Sequence, residues 1–387
     1  MAVELQRLVE KVAHMDLTLL AGTGGLHHLV SWIHMVESLE ATDFVEGGDV
    51  AFTTGLGLNN RVTLLTLVQY IYQRNTAGII VNIGPFIEKI PKEVLDFCDE
   101  HDFPLFTIPW KIHLAEVMRI FSYTIAKDDL RTLETASAFK NAIFFPKQEE
   151  LYVVPLSQHG FHVNWEYSVC AIRLEHYKQE LPQRLEQLTL GLDSYGRHQY
   201  KNFAVFSHDN EILIVTANYT EADLRHFVED IQQHITRLLA EGETVSLGCG
   251  KLTKSIRCLY KSYNQAVAIQ KLQANNKIDK SLIFYSDMGI YKLLMEIEDK
   301  DIIREYYDKT IRPLQEYDSK NNSDLAAVLR CYLNHNGSVK ETAEELFVHR
   351  NTINYKLNKV EELLGIDLSS LDQRLQISVG FMLQDML

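Results

Sequence analysis

The part of this sequence best equipped to contact a polyanion is a short basic strip near its C-terminus, residues 349–360. The strip contains one histidine, one arginine and two lysines, and neither an aspartate nor a glutamate. Arginine can bond to guanine, and asparagine to adenine, through two hydrogen bonds each, so Arg350 and Asn351 are suited to reading base edges. Lysines can hold phosphates. The strip is therefore typical of a small DNA-reading element.

A helix-turn-helix would present this strip to a major groove. The apolar spacing predicts three helices, over 324–335, 339–347 and 349–365. Ser338 can cap the second helix, with Glu341 three residues later as its capping-box partner. The tight turn before the third helix falls at Phe347 and Val348, where many helix-turn-helix proteins carry glycine.

The third predicted helix has one apolar face and one polar face. Ile353, Leu357 and Val360 recur at spacings of four and three, which places them on the inner face. The polar side chains then face outward, toward DNA. The DNA-contacting residues predicted in this way are His349, Arg350, Asn351, Thr352, Asn354, Tyr355, Lys356 and Lys359. An ordinary helical bundle with a solvated charged face remains the alternative on spacing alone.

The first hundred residues alternate between apolar runs and amphipathic segments. Strands are predicted at 29–36, 50–54, 78–84 and 104–109, and helices at 61–73 and 90–101. Strands separated by helices of about ten residues indicate βαβ units and a mainly parallel sheet buried on both faces.

Such sheets bind ligands beyond the carboxyl ends of their strands. Here those ends offer backbone N–H groups that suit a polar or anionic ligand, and a tryptophan that could stack on a planar ring. The candidate ligand-binding residues are Glu37, Thr53, Thr54, Gly55, Gly57, Asn82 and Trp110. The alternative is that these are strand-ending turns that bind nothing.

The middle of the chain changes character near Ile112. Residues 113–139 contain no proline or glycine, which predicts a long helix that connects two domains and could contact a second copy. A second α/β unit follows, with a strand at 167–175, a hairpin at 202–218, a helix at 221–241, a strand at 244–252 and a helix at 257–273. This order favours an α+β domain of the ferredoxin-like kind.

Composition excludes several classes of protein. The sequence contains no apolar window of eighteen residues, so no membrane span is expected. The N-terminus lacks the apolar core of a signal peptide. The five cysteines stand far apart in the sequence and form no CxxC pair. We therefore expect neither a disulfide framework nor a cysteine zinc site, and we expect the protein to lie in the reducing cytoplasm. The net charge of −14 excludes a large basic surface, although it permits the local strip.

Several motifs resemble functional signatures without completing them. The GGDV at 47–50 lacks the Glu-Phe of the diguanylate cyclase signature, and the middle hairpin carries His208-Asp209-Asn210-Glu211 instead. AGTGGL at 21–26 completes no dinucleotide fingerprint, and no strand is expected before it, so it is interpreted as a loop. No carboxylate or cysteine completes a metal set around the histidine pairs His27-His28 or His159 and His162. We therefore expect no catalytic residues, no metal and no cofactor.

Longer strings resemble a known family along nearly the whole chain. NHNGSVKETAEELFVHRNTINYKLNKVEELLGIDL closely resembles the C-terminal DNA-binding region of the purine catabolism regulator (PucR) family of bacterial transcription factors. FVEGGDVAFTTGLGL and IPKEVLDFCDEHDFPLFTIPW are similar to its N-terminal domain, and VSLGCGKLTKSIRCLYKSYNQAVAI to its degenerate GGDEF-like domain. Asn354 and Lys356 depart from the family, where arginines are common, and because lysine cannot replace the bidentate fork of arginine, the resemblance does not carry over an operator sequence.

The resemblance implies a multidomain α/β architecture in four parts. These are an N-terminal parallel α/β sensor domain (1–110), a long linker helix (111–145), a central α+β degenerate GGDEF-like domain with a helical connection (146–320) and an all-α helix-turn-helix domain (321–387). It also implies a homodimeric, ligand-responsive activator of a catabolic operon, in purine or nitrogen metabolism, whose partners are an operator duplex and a small-molecule effector.

Two alternatives come from other classes of protein. In one, the first domain is an enzyme or a binding protein for a small molecule, and the tail is an accessory module. In the other, the tail docks a protein rather than DNA. Against an enzyme, the sequence shows no nucleophile–base pair and no metal set.

Overall fold

Three β-sheets and a C-terminal group of helices make up the described chain. The computed structural model describes residues 3–59, 61–178, 180–297 and 299–386. Within these ranges, none of the helices combines the length and the apolar character that crossing a membrane requires.

Alternating strands and helices build the N-terminal part. Its elements are β1 (Val3–Glu4), α1 (Leu5–Lys11), β2 (Thr18–Ala21), β3 (Leu29–Val30), β4 (Trp32–Met35), β5 (Asp49–Thr53), α2 (Leu64–Gln73), β6 (Gly78–Ile83), α3 (Lys92–Glu100) and β7 (Leu105–Pro109). The five-stranded sheet has the order β2-β7-β6-β5-β4. Strands β4 to β7 are parallel, and β2 lies antiparallel at one edge. The carboxyl ends of four strands therefore meet at one edge of the sheet.

Both faces of this sheet are covered, as its apolar strands require. Alternate side chains of a strand point to opposite faces, so Val50 and Phe52 pack on the side of α1, while Ala51 packs on the side of α2 and α3. The apolar run at 29–36 forms two short strands rather than the single strand expected. The chain changes partner between them, because β3 pairs with β1 and β4 pairs with β5.

The glycine-rich segment at 21–26 has a structural role. Strand β2 immediately precedes it, so the expectation that no strand stands there is wrong. Gly22 has a φ of +74°, and its N–H donates to the Asp99 carboxylate at 2.7 Å. A Cβ on Gly22 would lie 2.0 Å from the carbonyl oxygen of Phe103. The glycine thus permits close packing against the connection from α3 to β7.

One long helix, α4 (Leu114–Phe144), joins the first sheet to the next. It has 31 residues and is about 46 Å long at 1.5 Å per residue. Its first half packs on the N-terminal sheet through Leu114, Val117, Phe121 and Ile125. Its second half packs on the following sheet through Ala138, Phe139, Ala142 and Ile143. Because one continuous helix belongs to both cores, a change in the first can be transmitted to the second.

The second sheet is antiparallel throughout. Its elements are α5 (Val153–Gln158), β8 (Tyr167–Glu175), α6 (Leu181–Gln199), β9 (Phe203–His208), β10 (Glu211–Ala217), α7 (Glu221–Leu238), β11 (Thr244–Cys249) and α8 (Leu259–Ala274). The strand order is β11-β8-β10-β9. One face packs against α6 and α7, and the other against α4, α5 and α8. Two helices and four strands in this order form a βαββαβ unit.

Helix α6 was not predicted from the sequence. Gly191 and Gly196 interrupt its pattern, and both residues lie at close contacts. A Cβ on Gly191 would be 2.9 Å from Leu238 of α7, and one on Gly196 would be 2.6 Å from the Phe203 ring. The two glycines weaken the helical pattern in the sequence. In the structure they allow α6 to pack closely against α7 and Phe203.

The C-terminal part is helical. Its elements are α9 (Tyr291–Met295), α10 (Lys300–Thr310), α11 (Arg312–Asn321), α12 (Leu325–Asn334), α13 (Val339–Glu345), α14 (Arg350–Leu364) and α15 (Leu371–Met386). Helices α12, α13 and α14 share a core with α15. Ile311 and Leu314 also pack into this core, although they precede the boundary expected at 321.

Candidate nucleic-acid interface and ligand edge

The turn between α13 and α14 fixes where α14 begins. The N–H of Val348 donates to the Ala343 carbonyl at 3.0 Å, and that of Phe347 to the Glu344 carbonyl at 3.3 Å. These two bonds end α13 in a Schellman motif, whose left-handed position is usually glycine. Phe347 occupies that position with a φ of 52°, and its ring is 95% exposed. A large apolar ring therefore projects beside the first turn of α14.

Helix α14 separates buried from exposed side chains as its sequence predicts. Ile353, Leu357 and Val360 are 0%, 6% and 0% exposed and pack against α12 and α15. The exposed side chains of its N-terminal half are His349, Arg350, Asn351, Thr352, Asn354 and Tyr355. Four of them, His349, Arg350, Asn351 and Asn354, border an open groove between α13 and α14, to which Lys340 also contributes. A polar, cation-bearing surface thus lies on the part of the helix that enters a major groove in helix-turn-helix proteins.

His349 caps α14. Its Nδ1 accepts a hydrogen bond from the N–H of Asn351 at 3.2 Å, so its other ring nitrogen carries the proton. The positive end of the helix dipole and the first-turn N–H groups lie beside it, and these favour a phosphate.

The two lysines of the strip differ from the arginine. Lys356 pairs with Asp324 at the start of α12, and Lys359 pairs with Glu362 one turn further along. The hydrogen bond to Glu362 raises the pKa of Lys359. Arg350 makes no ion pair within the described ranges. It is therefore the cation of the strip that can turn to a base without breaking an ion pair.

The capping box expected at Ser338 is half formed. The N–H of Glu341 donates to the Ser338 hydroxyl at 3.3 Å, which caps α13. The N–H of Ser338 donates to the His335 carbonyl at 2.9 Å rather than to Glu341. The Glu341 carboxylate is thereby left to lie 3.5 Å from the His335 ring.

The candidate ligand residues do meet at the carboxyl edge of the first sheet. Glu37 follows β4, and its carboxylate accepts four hydrogen bonds from the turn after β5. The donors are the hydroxyls of Thr53 and Thr54, at 3.3 and 2.7 Å, and the N–H groups of Thr54 and Leu56, at 2.9 and 3.1 Å. The backbone donors expected to hold an anionic ligand already hold this internal carboxylate.

The glycines of this turn allow that arrangement. Gly55 has a φ of +80°, and a Cβ on Gly57 would lie 1.8 Å from the Glu37 carbonyl oxygen. On the next strand, Asn82 is 3% exposed, and its amide donates to the backbone carbonyl of Ile108 at 3.4 Å. Both features serve the packing of the edge.

Trp110, which follows β7, is the accessible part of this edge. Its ring lies against Gly84, where a Cβ would be 2.5 Å from the indole, and it meets the Phe86 ring edge-on at 6.0 Å. Trp110 and Phe86 are 45% and 49% exposed. The two rings form an open aromatic surface beside the Glu37 turn.

Sequence reasoning missed an ionic cluster at the junction of α1, α4 and α6. Asp128 of α4 is 5% exposed, and it accepts hydrogen bonds from Arg7 at 3.0 Å and from Arg197 at 3.3 Å. Arg197 also bonds to Asp193 at 2.7 Å, and burial raises the pKa of the Asp193 carboxyl. The cluster lines a cavity of about 260 Å³. The contacts of Asp128 with Arg7 and Arg197 span 121 and 69 residues, so no local pattern could reveal them.

Two cysteines also meet. Cys170 of β8 faces Cys249 of β11, with their Sγ atoms 3.2 Å apart and both thiols free. Their contact depends on strand register, which the sequence spacing does not reveal. Among the histidines, His34 pairs with Asp49 and His159 with Glu134, at 3.3 and 3.1 Å.

Comparison with protein families gives three matches in succession. Residues 7–125 match the purine catabolism regulatory protein-like family, residues 155–272 match the GGDEF-like domain, and residues 325–383 match the PucR C-terminal helix-turn-helix domain. The last match covers α12 to α14 and most of α15.

Several relatives come from Bacillus subtilis. The DNA-binding transcriptional activator AdeR is 26% identical over 291 residues, which are 68% of this chain and 68% of AdeR. The proline-responsive transcriptional activator PutR is 28% identical over 52% of this chain and 50% of its own length. The purine catabolism regulatory protein is 26% identical over 42% of this chain and 30% of its own length.

Proposed function

Because this chain belongs to the PucR family of DNA-binding transcription regulators, we propose that it is a ligand-responsive activator of a catabolic operon and reads its operator with α14. The observation that carries this proposal is the division of α14 into a buried apolar face and an exposed face with Arg350 and Asn351 in its first turn. These two side chains would read bases. A regulator of this kind acts in the cytoplasm, where the operon lies.

The remaining polar residues of α14 would position the helix. We assign Thr352 and the His349-capped N-terminus to phosphates. Tyr355 is 73% exposed and would lie along the groove wall with Asn354. Lys356 and Lys359 would contact the backbone after exchanging their carboxylate partners for phosphates.

One α14 helix on an acidic chain would bind DNA weakly. Binding by two copies of the chain would raise the affinity for DNA. Tyr123, Leu130 and Leu133 of α4 are 68%, 56% and 58% exposed. Tyr123 and Leu130 are one heptad apart, and Leu133 is three residues further on, so the three lie along one side of the helix. We propose that this stripe pairs with the same stripe of a second copy. The pair would bind two half-sites, since symmetric dimers read palindromic operators.

Selection from a random duplex library tests this function. The full chain should enrich sites with two half-sites whose centres lie about 34 Å apart, one helical turn. Leu133→Glu should break the dimer and leave weak binding to single half-sites. Absence of any enriched sequence would overturn DNA reading and favour a protein partner for the tail.

For the effector, we propose the edge formed by the Glu37 turn and the aromatic surface of Trp110. An anionic group would compete with Glu37 for the donors of Thr54 and Leu56, while a planar ring would stack on Trp110. When the ligand's anionic group replaces the Glu37 carboxylate, the segment after β4 would be released. Ligand binding would in this way change the conformation of the domain.

Thermal unfolding of the full chain with a panel of purine bases and small carboxylates tests the edge. A compound that raises the melting temperature of the chain should lose this effect with Thr54→Val and with Trp110→Ala. Trp32→Ala is the matched control, because Trp32 is 49% exposed on β4, away from the carboxyl edge. A full shift in both edge variants would place the ligand elsewhere.

We also propose that the middle domain is not an enzyme. Its β9–β10 hairpin turns through Asp209 and Asn210, with His208 opposite Glu211, and thus lacks the cyclase signature. The fold then acts as a relay between the sensor and the DNA-reading helices.

A further inference from the structure

Three metal-binding side chains meet where α12 packs against α13. Cys331 lies on α12, His335 is the C-cap residue of α12 one turn later, and Glu345 is the last residue of α13. The Cys331 Sγ, an imidazole nitrogen of His335 and a carboxylate oxygen of Glu345 all lie within 4.8 Å of one another. The three side chains differ in exposure: Cys331 is buried, His335 is half-buried and Glu345 is exposed. One ligand is therefore anchored in the core, while the opposite side opens to solvent.

The hydrogen bonds of His335 and Cys331 meet at the Glu345 carboxylate. The Glu345 carboxylate accepts from His335 Nε2 at 2.5 Å and also from the Cys331 thiol. The hydrogen bond from His335 lowers the pKa of Glu345. Two protons thus lie between three groups that are all good ligands for a divalent cation.

We propose that Cys331, His335 and Glu345 form a zinc site that joins α12 to α13. Zn²⁺ prefers thiolate, imidazole and carboxylate ligands in a tetrahedron, with bonds of about 2.0–2.3 Å. The cation would replace the two shared protons: the thiol proton would pass to solvent, and the imidazole proton would leave Nε2, so that the neutral ring carries its one N–H at Nδ1. Three protein ligands leave the fourth position for a water on the exposed side.

Glu341 completes the arrangement from outside. Its carboxylate lies 3.5 Å from Nδ1 of His335, on the far side of the ring from Glu345. A histidine that binds a metal through one nitrogen commonly donates the other N–H to a carboxylate, which fixes the orientation of the ring. The Ser338 cap places Glu341 there, because the N–H of Ser338 is bonded to the His335 carbonyl instead.

The choice of zinc follows from the mixture of ligands. A thiolate with an imidazole and one carboxylate is a poor set for Mg²⁺ or Ca²⁺, which prefer oxygen. The three ligands lie on elements that share the core of α14. A bound cation would hold α13 on α12 and thereby hold the Schellman turn at Phe347, from which α14 starts. The site would therefore stabilise the DNA-reading geometry.

Calorimetric titration of the untagged full chain with zinc chloride tests this site. One equivalent should bind, and Cys331→Ser and His335→Gln should each weaken the affinity at least tenfold. Glu341→Gln should weaken it by about 10- to 100-fold, as the loss of an orienting carboxylate does. Cobalt(II) should give thiolate charge-transfer absorption in the wild type that is absent in Cys331→Ser.

Two controls keep the outcome clear. Cys258→Ser removes a partly exposed thiol elsewhere, and Glu344→Gln removes a carboxylate next to the site in sequence. Both should bind zinc as the wild type does. Circular dichroism of each variant without metal separates loss of the ligand from loss of the fold. Equal zinc affinity in the wild type and the folded Cys331→Ser variant would overturn the proposal, as would cobalt spectra without a thiolate band.

Discussion

Arg350→Ala is expected to weaken binding to the preferred operator by about 5- to 150-fold and to relax the base preference at one position of each half-site. Loss of a bidentate contact to guanine costs about 1–3 kcal/mol, which gives this range. Arg350 is exposed in the first turn of α14, and within the described ranges no carboxylate holds it. The whole loss should therefore appear as binding free energy.

The measurement is a titration of wild type and variants on selected and scrambled duplexes at several salt concentrations. Lys359→Ala should weaken all sequences equally and reduce the salt slope by about one. Arg304→Ala is the charge-matched control, since Arg304 lies on the exposed face of α10. If Arg350→Ala keeps the discrimination of the wild type, α14 does not read bases through this residue.

The buried and exposed faces of α14 could be predicted because the evidence for them is local. The alternation of apolar and polar residues in α14 predicts which side chains are buried, and the observed exposures of Ile353, Leu357 and Val360 follow it. The ion pair of Lys356 could not be predicted, because Asp324 reaches Lys356 only after α12 packs on α14. The pair of Lys359 with Glu362 is local, since the two residues are three positions apart on one helix. The cap at His349 was also missed, since histidine is an uncommon N-cap residue.

The meeting of the candidate ligand residues at one sheet edge could be predicted, and the hydrogen bonds that they make there could not. The order of strands and helices places Glu37, Thr54 and Trp110 at one edge. The sequence does not reveal that the Glu37 carboxylate turns inward and accepts hydrogen bonds from the N–H groups that were expected to bind a ligand. That outcome depends on Gly57, whose missing Cβ lets the turn approach the Glu37 carbonyl. Close backbone packing of this kind leaves no periodic signal.

Features that depend on contacts between distant parts of the chain are the hardest to predict from the sequence. The contact of Arg7 with Asp128 spans 121 residues, and that of Cys170 with Cys249 spans 79. Helix α6 adds a third case, since its glycines weaken the very pattern by which helices are found. In each case the determining fact is which surfaces meet, and this follows only from the packed fold.

Asp128→Ala is expected to weaken the packing of the N-terminal domain on the middle domain. The substitution would leave Arg7 and Arg197 facing one another at the junction of α1, α4 and α6, with no carboxylate between them. Removing one partner of a fully buried ion pair costs about 3–5 kcal/mol, and the partial exposure of both arginines reduces this to about 2 kcal/mol. The lowest thermal transition should then fall by roughly 5–10 °C.

Calorimetry of the full chain, together with operator titration, measures this effect. Asp96→Ala is the matched control, because Asp96 is an exposed carboxylate on α3 and its loss should leave the melting temperature unchanged. Combining Asp128→Ala with Arg7→Gln should recover part of the loss, since the second change removes the arginine that pairs with Asp128, whereas Arg197 keeps its pair with Asp193. Identical melting of Asp128→Ala and Asp96→Ala would show that the two domains are joined by the apolar faces of α4 alone. Under the proposed function, the response to a ligand would then be transmitted through that helix rather than through the ionic cluster.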